Sequence, residues 1–150
     1  MWFENQVQPN DPAQIQKLME PGPEGPIFMV NLLKFRDRAE YADGRETDLT
    51  GREAYMLYGR AVSQIIQKFG GRLVFTADVT HLSLGKIEQL WDEVAIARYP
   101  RRIDMVQMSM SPEWIEASVH RTAGLEGQLN IETVIPDAMK QAEWAGSMLG

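Results

Sequence analysis

The sequence predicts an α+β protein of the ferredoxin-like, split βαβ kind: a four-stranded antiparallel sheet with its helices on one face. Three observations carry this expectation. The predicted elements run strand, helix, strand, strand, helix pair, strand over residues 27–135. The two middle strands are separated by roughly ten residues, too few for a helical crossover, so they must pair antiparallel. The first strand, Ile27–Phe35, is apolar on both of its alternate faces, the pattern of a strand covered on both sides.

Residues 1–26 read as an arm. Asn10-Asp11-Pro12 supplies an Asx cap and a first-turn proline. Ile15, Leu18 and Met19 form one short apolar stripe before Pro21-Gly22-Pro23-Glu24-Gly25-Pro26 stops the helix. After the strand, residues 37–50 are polar and contain the turn signal Asp43-Gly44. Thr50-Gly51-Arg52-Glu53 is a capping box. Behind it Tyr55, Tyr58, Ala61, Val62, Ile65, Ile66 and Phe69 recur three and four apart until Gly70-Gly71 ends the helix.

Residues 72–79 and 90–99 are β-rich, and Ala95 and Ala97 leave one face of the later strand bare enough for another element to approach closely. Residues 101–110 read as helical. Ser111-Pro112-Glu113 opens a further helix with a cap, a first-position proline and a first-turn acid, and this helix runs to Gly124. In residues 125–135, Leu125, Gly127, Leu129, Ile131, Thr133 and Ile135 alternate with Glu126, Gln128, Asn130 and Glu132, a period-two strand with one wet face. Residues 136–150 form a short helical tail carrying Met139, Ala142, Trp144 and Met148.

Composition narrows the function. With 15 Lys+Arg against 21 Asp+Glu the 150-residue chain carries a formal net charge of −6, which argues against a nucleic-acid partner, since phosphate binding needs a cationic face. The absence of cysteine removes disulfides, thiolate metal sites and thiol nucleophiles together. No apolar run approaches the roughly 18 residues of a membrane span. The opening Met1-Trp2-Phe3-Glu4-Asn5-Gln6 lacks the basic start and apolar core of a signal peptide. A cytoplasmic protein without membrane contact is the expectation. The phosphate-loop, dinucleotide, nucleophile-elbow and H-E-x-x-H motifs are all missing, and two histidines, His81 and His120, suggest no zinc site.

The strands also predict an oligomer. Helices cover one sheet face only, and leaving the other face of residues 27–35 in water would expose a large apolar patch. A second copy, packed sheet against sheet about a two-fold axis, covers it. The alternative is that the two arms, with Trp2 and Trp144, fold back over their own sheet.

These residues resemble a known family. Ile27–Phe35, Thr50-Gly51-Arg52-Glu53-Ala54-Tyr55 with Tyr58, Arg98-Tyr99-Pro100, Ser111-Pro112-Glu113-Trp114, and His120-Arg121 leading into Leu125 are similar to the domain-of-unknown-function 1330 family, small bacterial proteins of the dimeric α/β-barrel group. The resemblance spans residues 27–135 and implies a ferredoxin-like subunit and a sheet-to-sheet homodimer. It implies no particular reaction, because that wider group holds cofactor-free oxygenases, lactone isomerases, haem enzymes and pure binding proteins. The 37–50 loop and the 79–90 connection depart from the family's compact pattern.

Six residues are candidates for chemistry. Asn31 interrupts an apolar strand on the face of Met29 and Leu33, and left unsatisfied it would cost about 1–3 kcal/mol. It holds either a ligand oxygen or a structural hydrogen bond. Tyr55 and Tyr58 stand together on one helix face, as pocket wall or as aromatic core. Arg98, on the strand face of Val94 and Ile96, precedes Arg101 and Arg102; an inward Arg98 would receive a carboxylate or phosphate, and the alternative is pairing with a neighbouring acid. Arg121 and His120 suit a helix C-terminus electrostatically. His120 is also the acid–base candidate by its titration range, and the ligand in a weaker haem variant. His81 reads as an exposed loop residue. Together these residues predict a pocket between helices and sheet, with Asn31, Tyr55, Tyr58, Arg98 and Arg121 binding a small carboxylated or carbonyl compound and His120 moving a proton. The enzyme reading is a cofactor-independent oxygenase or isomerase without a metal; the alternative is a non-catalytic dimeric ligand-binding or structural module.

Overall fold

The computed structural model describes residues 5–150, so the expectation placed on Trp2 lies outside the described residues. Four strands, β1 (Ile27–Phe35), β2 (Arg72–Asp78), β3 (Glu93–Tyr99) and β4 (Leu125–Thr133), pair antiparallel in the order β2-β3-β1-β4. The helices are α1 (Pro12–Leu18), α2 (Gly51–Ile65), α3 (Arg102–Ser109), α4 (Pro112–Gly124) and α5 (Glu143–Leu149). This is the split βαβ arrangement that the order of elements predicts.

Local signals explain most boundaries. At the start of α2, the Thr50 hydroxyl accepts from Glu53 N at 3.0 Å while the Glu53 carboxylate accepts from Thr50 N at 2.9 Å. That box satisfies two of the donors a helix start leaves free. Asp11 caps α1 and Ser111 caps α4. A 3₁₀ turn, Ile66–Phe69, completes α2 before Gly70 takes a left-handed φ of 78°. Two strands are shorter than the sequence suggests. β3 begins at Glu93 because Asp92 engages β1 by other means: its carboxylate accepts from Phe35 N at 2.9 Å and Lys34 Nζ at 3.2 Å. β4 ends at Thr133, and Pro136 then starts the short 3₁₀ turn Asp137–Met139.

The core lies between the sheet and α2, α3 and α4. Ile27, Met29, Ala97 and Tyr99 pack against Tyr58, Val62, Ile65, Ile66, Met108 and Ala117, while Leu33, Phe35, Ala95 and Leu125 form a second cluster with Tyr55. The small side chains of Ala95 and Ala97 face the helices, as the bare strand face predicts. Where β1, α2 and α4 meet, main chains touch. Gly51 N donates to Arg36 O at 3.1 Å and Arg36 N donates to Gly124 O at 2.9 Å. A Cβ on Gly51 would collide with Arg36 O, and one on Gly124 would collide with Gly51 O.

β4 departs from expectation in its orientation. A register shift between Lys34 and Phe35 lets Leu125 oppose Phe35 while Gln128 opposes Leu33. The polar set Gln128, Asn130 and Glu132 therefore lies on the helix side of the sheet, and Leu129 and Ile131 lie on the other side with Val30 and Leu32. The outer face thus carries an apolar patch that reaches all four strands, with the cations Lys34, Arg72 and Arg98 at its ends: Val30, Leu32, Val94, Ile96 and Leu129 are half-buried, and Phe75 and Ile131 are 50% and 46% exposed. Among the described residues it is closed at two places, at Gly127, where Asn5 lies against the strand, and at Phe28, 4% exposed. There the tail covers its own sheet, held by Arg72 and Arg98. Arg102 fastens α1 at the opposite side: its guanidinium donates to both Glu132 carboxylate oxygens at 2.7 Å and to Lys17 O at 3.0 Å.

Candidate functional site

Beneath the helices, a chain of hydrogen bonds crosses the sheet. Arg121, on the last turn of α4, donates from Nη1 to Gln128 Oε1 at 2.7 Å. Gln128 Nε2 donates to Asn31 Oδ1 at 2.8 Å, and Asn31 Nδ2 donates to Ala95 O at 3.1 Å and Met29 O at 3.2 Å. The polarity of the chain is fixed at both ends. A guanidinium only donates and a backbone carbonyl only accepts, so both amides have one permissible orientation. Asn31 is fully engaged by the protein itself; what it does is hold Gln128, which holds Arg121.

Aromatic rings wall this group. The Arg121 guanidinium lies 5.3 Å from the Trp114 ring centroid, and Trp114 Nε1 donates to the Tyr58 hydroxyl at 3.1 Å. Tyr58 and Tyr55 rings are 5.5 Å apart, and Tyr55 continues to Phe35 at the same distance. Burial pushes both phenols above their usual pKa; the positive charge of Arg121 opposes that rise without cancelling it. Both hydroxyls are therefore neutral donors at physiological pH.

Arg121 is the anomaly of the site. It is 8% exposed, its Nε has no partner, and among the described residues it forms no ion pair. Taking an unpaired charge out of water costs several kcal/mol. Its place at the end of α4 returns about 0.3–1 kcal/mol from the helix dipole, and a cation–π contact contributes about 0.5–2 kcal/mol. Among the described residues the positive charge has no ion-paired acid, and it stands beside two neutral phenols and an amide. Such an arrangement suits an anion with hydrogen-bond acceptors, above all a carboxylate held bidentately.

Two predicted members lie elsewhere. Arg98 stands opposite Phe28 on the outer face, its Nη2 donating to Leu149 O at 2.9 Å, so it does not point toward the helices. Strand alternation correctly groups it with Val94 and Ile96, but that face turned out to be the outer one. His120 joins the 37–50 loop: its Nδ1 is 2.7 Å from the Tyr41 hydroxyl, and Arg45 sits 4.5 Å over the Tyr41 ring. One residue from Arg121 on a helix is about 100° of rotation, which carries His120 away from the sheet-side group. The imidazole is half-buried, with Nδ1 engaged by a phenol beside a cation. His81 is exposed, as expected. Among the described residues no cluster of three or more acids and histidines is placed to hold a metal.

The His120 contact has a pH consequence. Burial, then the Arg45 charge, lower its pKa from 6.5. The folded state therefore binds the proton less well than the unfolded one. The stability this contributes is complete above about pH 6.5 and is lost as pH falls through the lower folded-state pKa. His120→Gln should flatten the fall in denaturation midpoint between pH 7.5 and 5; an unchanged pH profile would show that the imidazole does not titrate this way.

Sequence reasoning passed over two residues at the site: Gln128 reads as a member of a wet strand face, and no local signal marks Trp114. Glu93 faces the helix side opposite Leu33, 3.6 Å from Arg52, with its carboxyl pushed up by burial against the opposing pull of Arg52. Two surface clefts are also present, one of about 410 Å³ lined by Pro23, Pro26, Val134, Ile135, Lys140 and Leu149 among others, and one of about 490 Å³ lined by Lys17, Glu20, Pro21, Gly22, Pro23 and Arg102. Neither touches Arg121.

No family model matches the chain, and no curated protein matches it. Solved structures do. The crystal structure of RPA0582 from Rhodopseudomonas palustris, a protein of unknown function, is 32% identical over 89% of this chain and 100% of that one, with a TM-score of 0.76. The methylated RPA0582 protein is 36% identical over 89% of this chain and 98% of that one, with a TM-score of 0.77. No helix of the described residues is long and apolar enough to cross a membrane. At that identity and coverage, the chain belongs to the family of the Rhodopseudomonas palustris protein RPA0582.

Proposed function

We propose that the protein is a homodimer, paired sheet to sheet across its outer face, in which each subunit binds a small carboxylate at Arg121. The observation that carries the binding proposal is the buried guanidinium whose Nε is unpartnered and which, among the described residues, forms no ion pair. The apolar outer face supports the dimer, since β4 turns Leu129 and Ile131 away from its own helices. Kinship with the domain-of-unknown-function 1330 family belongs to the same proposal and rests on the motifs quoted above. In this reading Arg121 meets the carboxylate, Gln128 and Asn31 are positioning residues, and Tyr55 and Tyr58 offer neutral hydroxyls. Because Arg121 is closed over, ligand entry requires displacement of neighbouring side chains. Binding is favoured over oxygenase or isomerase turnover, because His120, the acid–base candidate, stands with Tyr41 rather than with Arg121.

A purely structural module is the second reading. It is favoured by the engagement of Asn31 and Gln128 with protein partners on both sides. Thermal denaturation in benzoate and in benzamide separates the two. Benzoate should raise the midpoint, approaching about 2.7 kcal/mol of stabilisation at a hundred times Kd, and benzamide should not. Arg121→Gln should fold and lose the response. Equal responses to benzoate and benzamide, or the same benzoate response in Arg121→Gln, would favour the structural module.

A further inference from the structure

The outer face holds a second cationic group, unrelated to Arg121. Arg72 on β2 and Arg98 on β3 are directly opposite each other in the ladder. Like charges so placed destabilise a sheet, and among the described residues neither forms an ion pair with an acid. Their donors go to backbone oxygens at the end of α5: Arg72 Nη1 to Gly150 O at 2.8 Å, Arg72 Nη2 to Ser147 O at 2.7 Å and Met148 O at 3.2 Å, and Arg98 Nη2 to Leu149 O at 2.9 Å. Arg98 Nε is buried and unpartnered. The last turn of a helix attracts cations, so α5 meets the pair with its backbone oxygens and its dipole, and among the described residues no acidic side chain takes part. Burial and the neighbouring Arg72 both lower the pKa of Arg98, in line with two like charges side by side.

We propose that Arg72 and Arg98 form a binding site for the oxyanion head of an amphipathic acid, and that α5 is a displaceable plug occupying it. α5 has seven residues, of which only Ala145 is buried, and a helix that short is not stable alone. Leu149 links the site to a cavity: its carbonyl takes Arg98, and the residue lines the 410 Å³ cleft with Pro23, Pro26, Val134 and Ile135, beside the charged Glu24, Asp137 and Lys140. Lifting Leu149 frees the guanidinium and opens this largely apolar cleft beside it. The ligand is therefore an anion with an apolar body.

The test uses the full-length protein with octanoate and octyl phosphate as probes, and octanol at equal concentration and ionic strength. Hydrogen exchange of residues 143–150 should accelerate by about tenfold, one 1.4 kcal/mol step, with either acid and stay unchanged with octanol. The stronger of the two acids identifies the headgroup. Arg72→Gln/Arg98→Gln should exchange rapidly at 143–150 without ligand, showing that the plug is released, and yet bind both acids at least about tenfold more weakly by calorimetry. Exchange at 143–150 that is unchanged or slowed by the acids, an equal effect of octanol, or wild-type affinity in the double variant would overturn the proposal. In the Arg121→Gln background both acids should still accelerate exchange at 143–150, and the loss of affinity in the double variant is read in that background, so the two sites fail or succeed separately.

Discussion

Gly124→Ala is expected to destabilise the protein by about 3 kcal/mol or more, at the upper end of overpacking effects. The new methyl group would meet Gly51 O and, at 2.9 Å, Tyr55 N, both of them backbone atoms in the first turns of α2. Flexible side chains give way to such a group; helix backbones do not. Relief requires α2 and α4 to separate, which also moves Tyr55 and Arg121 apart. Urea denaturation should show the loss as a lower midpoint, and near-ultraviolet dichroism should report altered packing of Trp114. A midpoint within about 0.5 kcal/mol of the wild type, the range of neutral surface changes, would mean that the helices do not cross this closely.

If subunits pair through the outer face as proposed, Ile131→Glu should yield a monomer. The side chain is 46% exposed in the isolated subunit and lies on the edge strand, so the subunit itself has little reason to unfold. At a sheet-to-sheet interface the same change removes an apolar contact and buries a charge. A cost of about 3 kcal/mol weakens association by roughly a hundredfold. Sedimentation at micromolar concentration should give a dimer for the wild type and a monomer for the variant, with unchanged far-ultraviolet dichroism. Wild-type protein sedimenting as single subunits would remove the dimer from the account, leaving the outer face to the tail.

The architecture was legible where a local signal has a single structural meaning. The capping box at Thr50, the prolines at 12 and 112, the Gly70-Gly71 stop and the doubly apolar β1 each state their outcome in a few residues. Alternation gave partial knowledge of the strands. It shows that Arg98 shares a face with Val94 and Ile96, and that Gln128 shares one with Asn130 and Glu132. Which of the two faces meets the helices depends on pairing register and on the shift at Lys34/Phe35, and these are long-range properties. For that reason Arg98 was expected inward and Gln128 outward, and both expectations are reversed. Asn31 was conspicuous as an amide in an apolar strand, but its partner lies 97 positions away. The Gly51–Gly124 contact carries no local mark at all, since a glycine at a helix end reads as a cap. Tyr55 and Tyr58 stand together as their helix spacing suggests, and Arg121 reaches them through Trp114, a contact between helices that spacing does not reveal.

The most direct test is made on the unpartnered guanidinium nitrogen. In nitrogen-15 NMR of selectively labelled arginine, the Arg121 Nε–H resonance, assigned by its loss in Arg121→Gln, should move downfield as benzoate is added and stay in place with benzamide. An Arg121 resonance indifferent to benzoate at concentrations that raise the melting temperature would contradict the account, because the carboxylate would then be bound somewhere other than the buried charge.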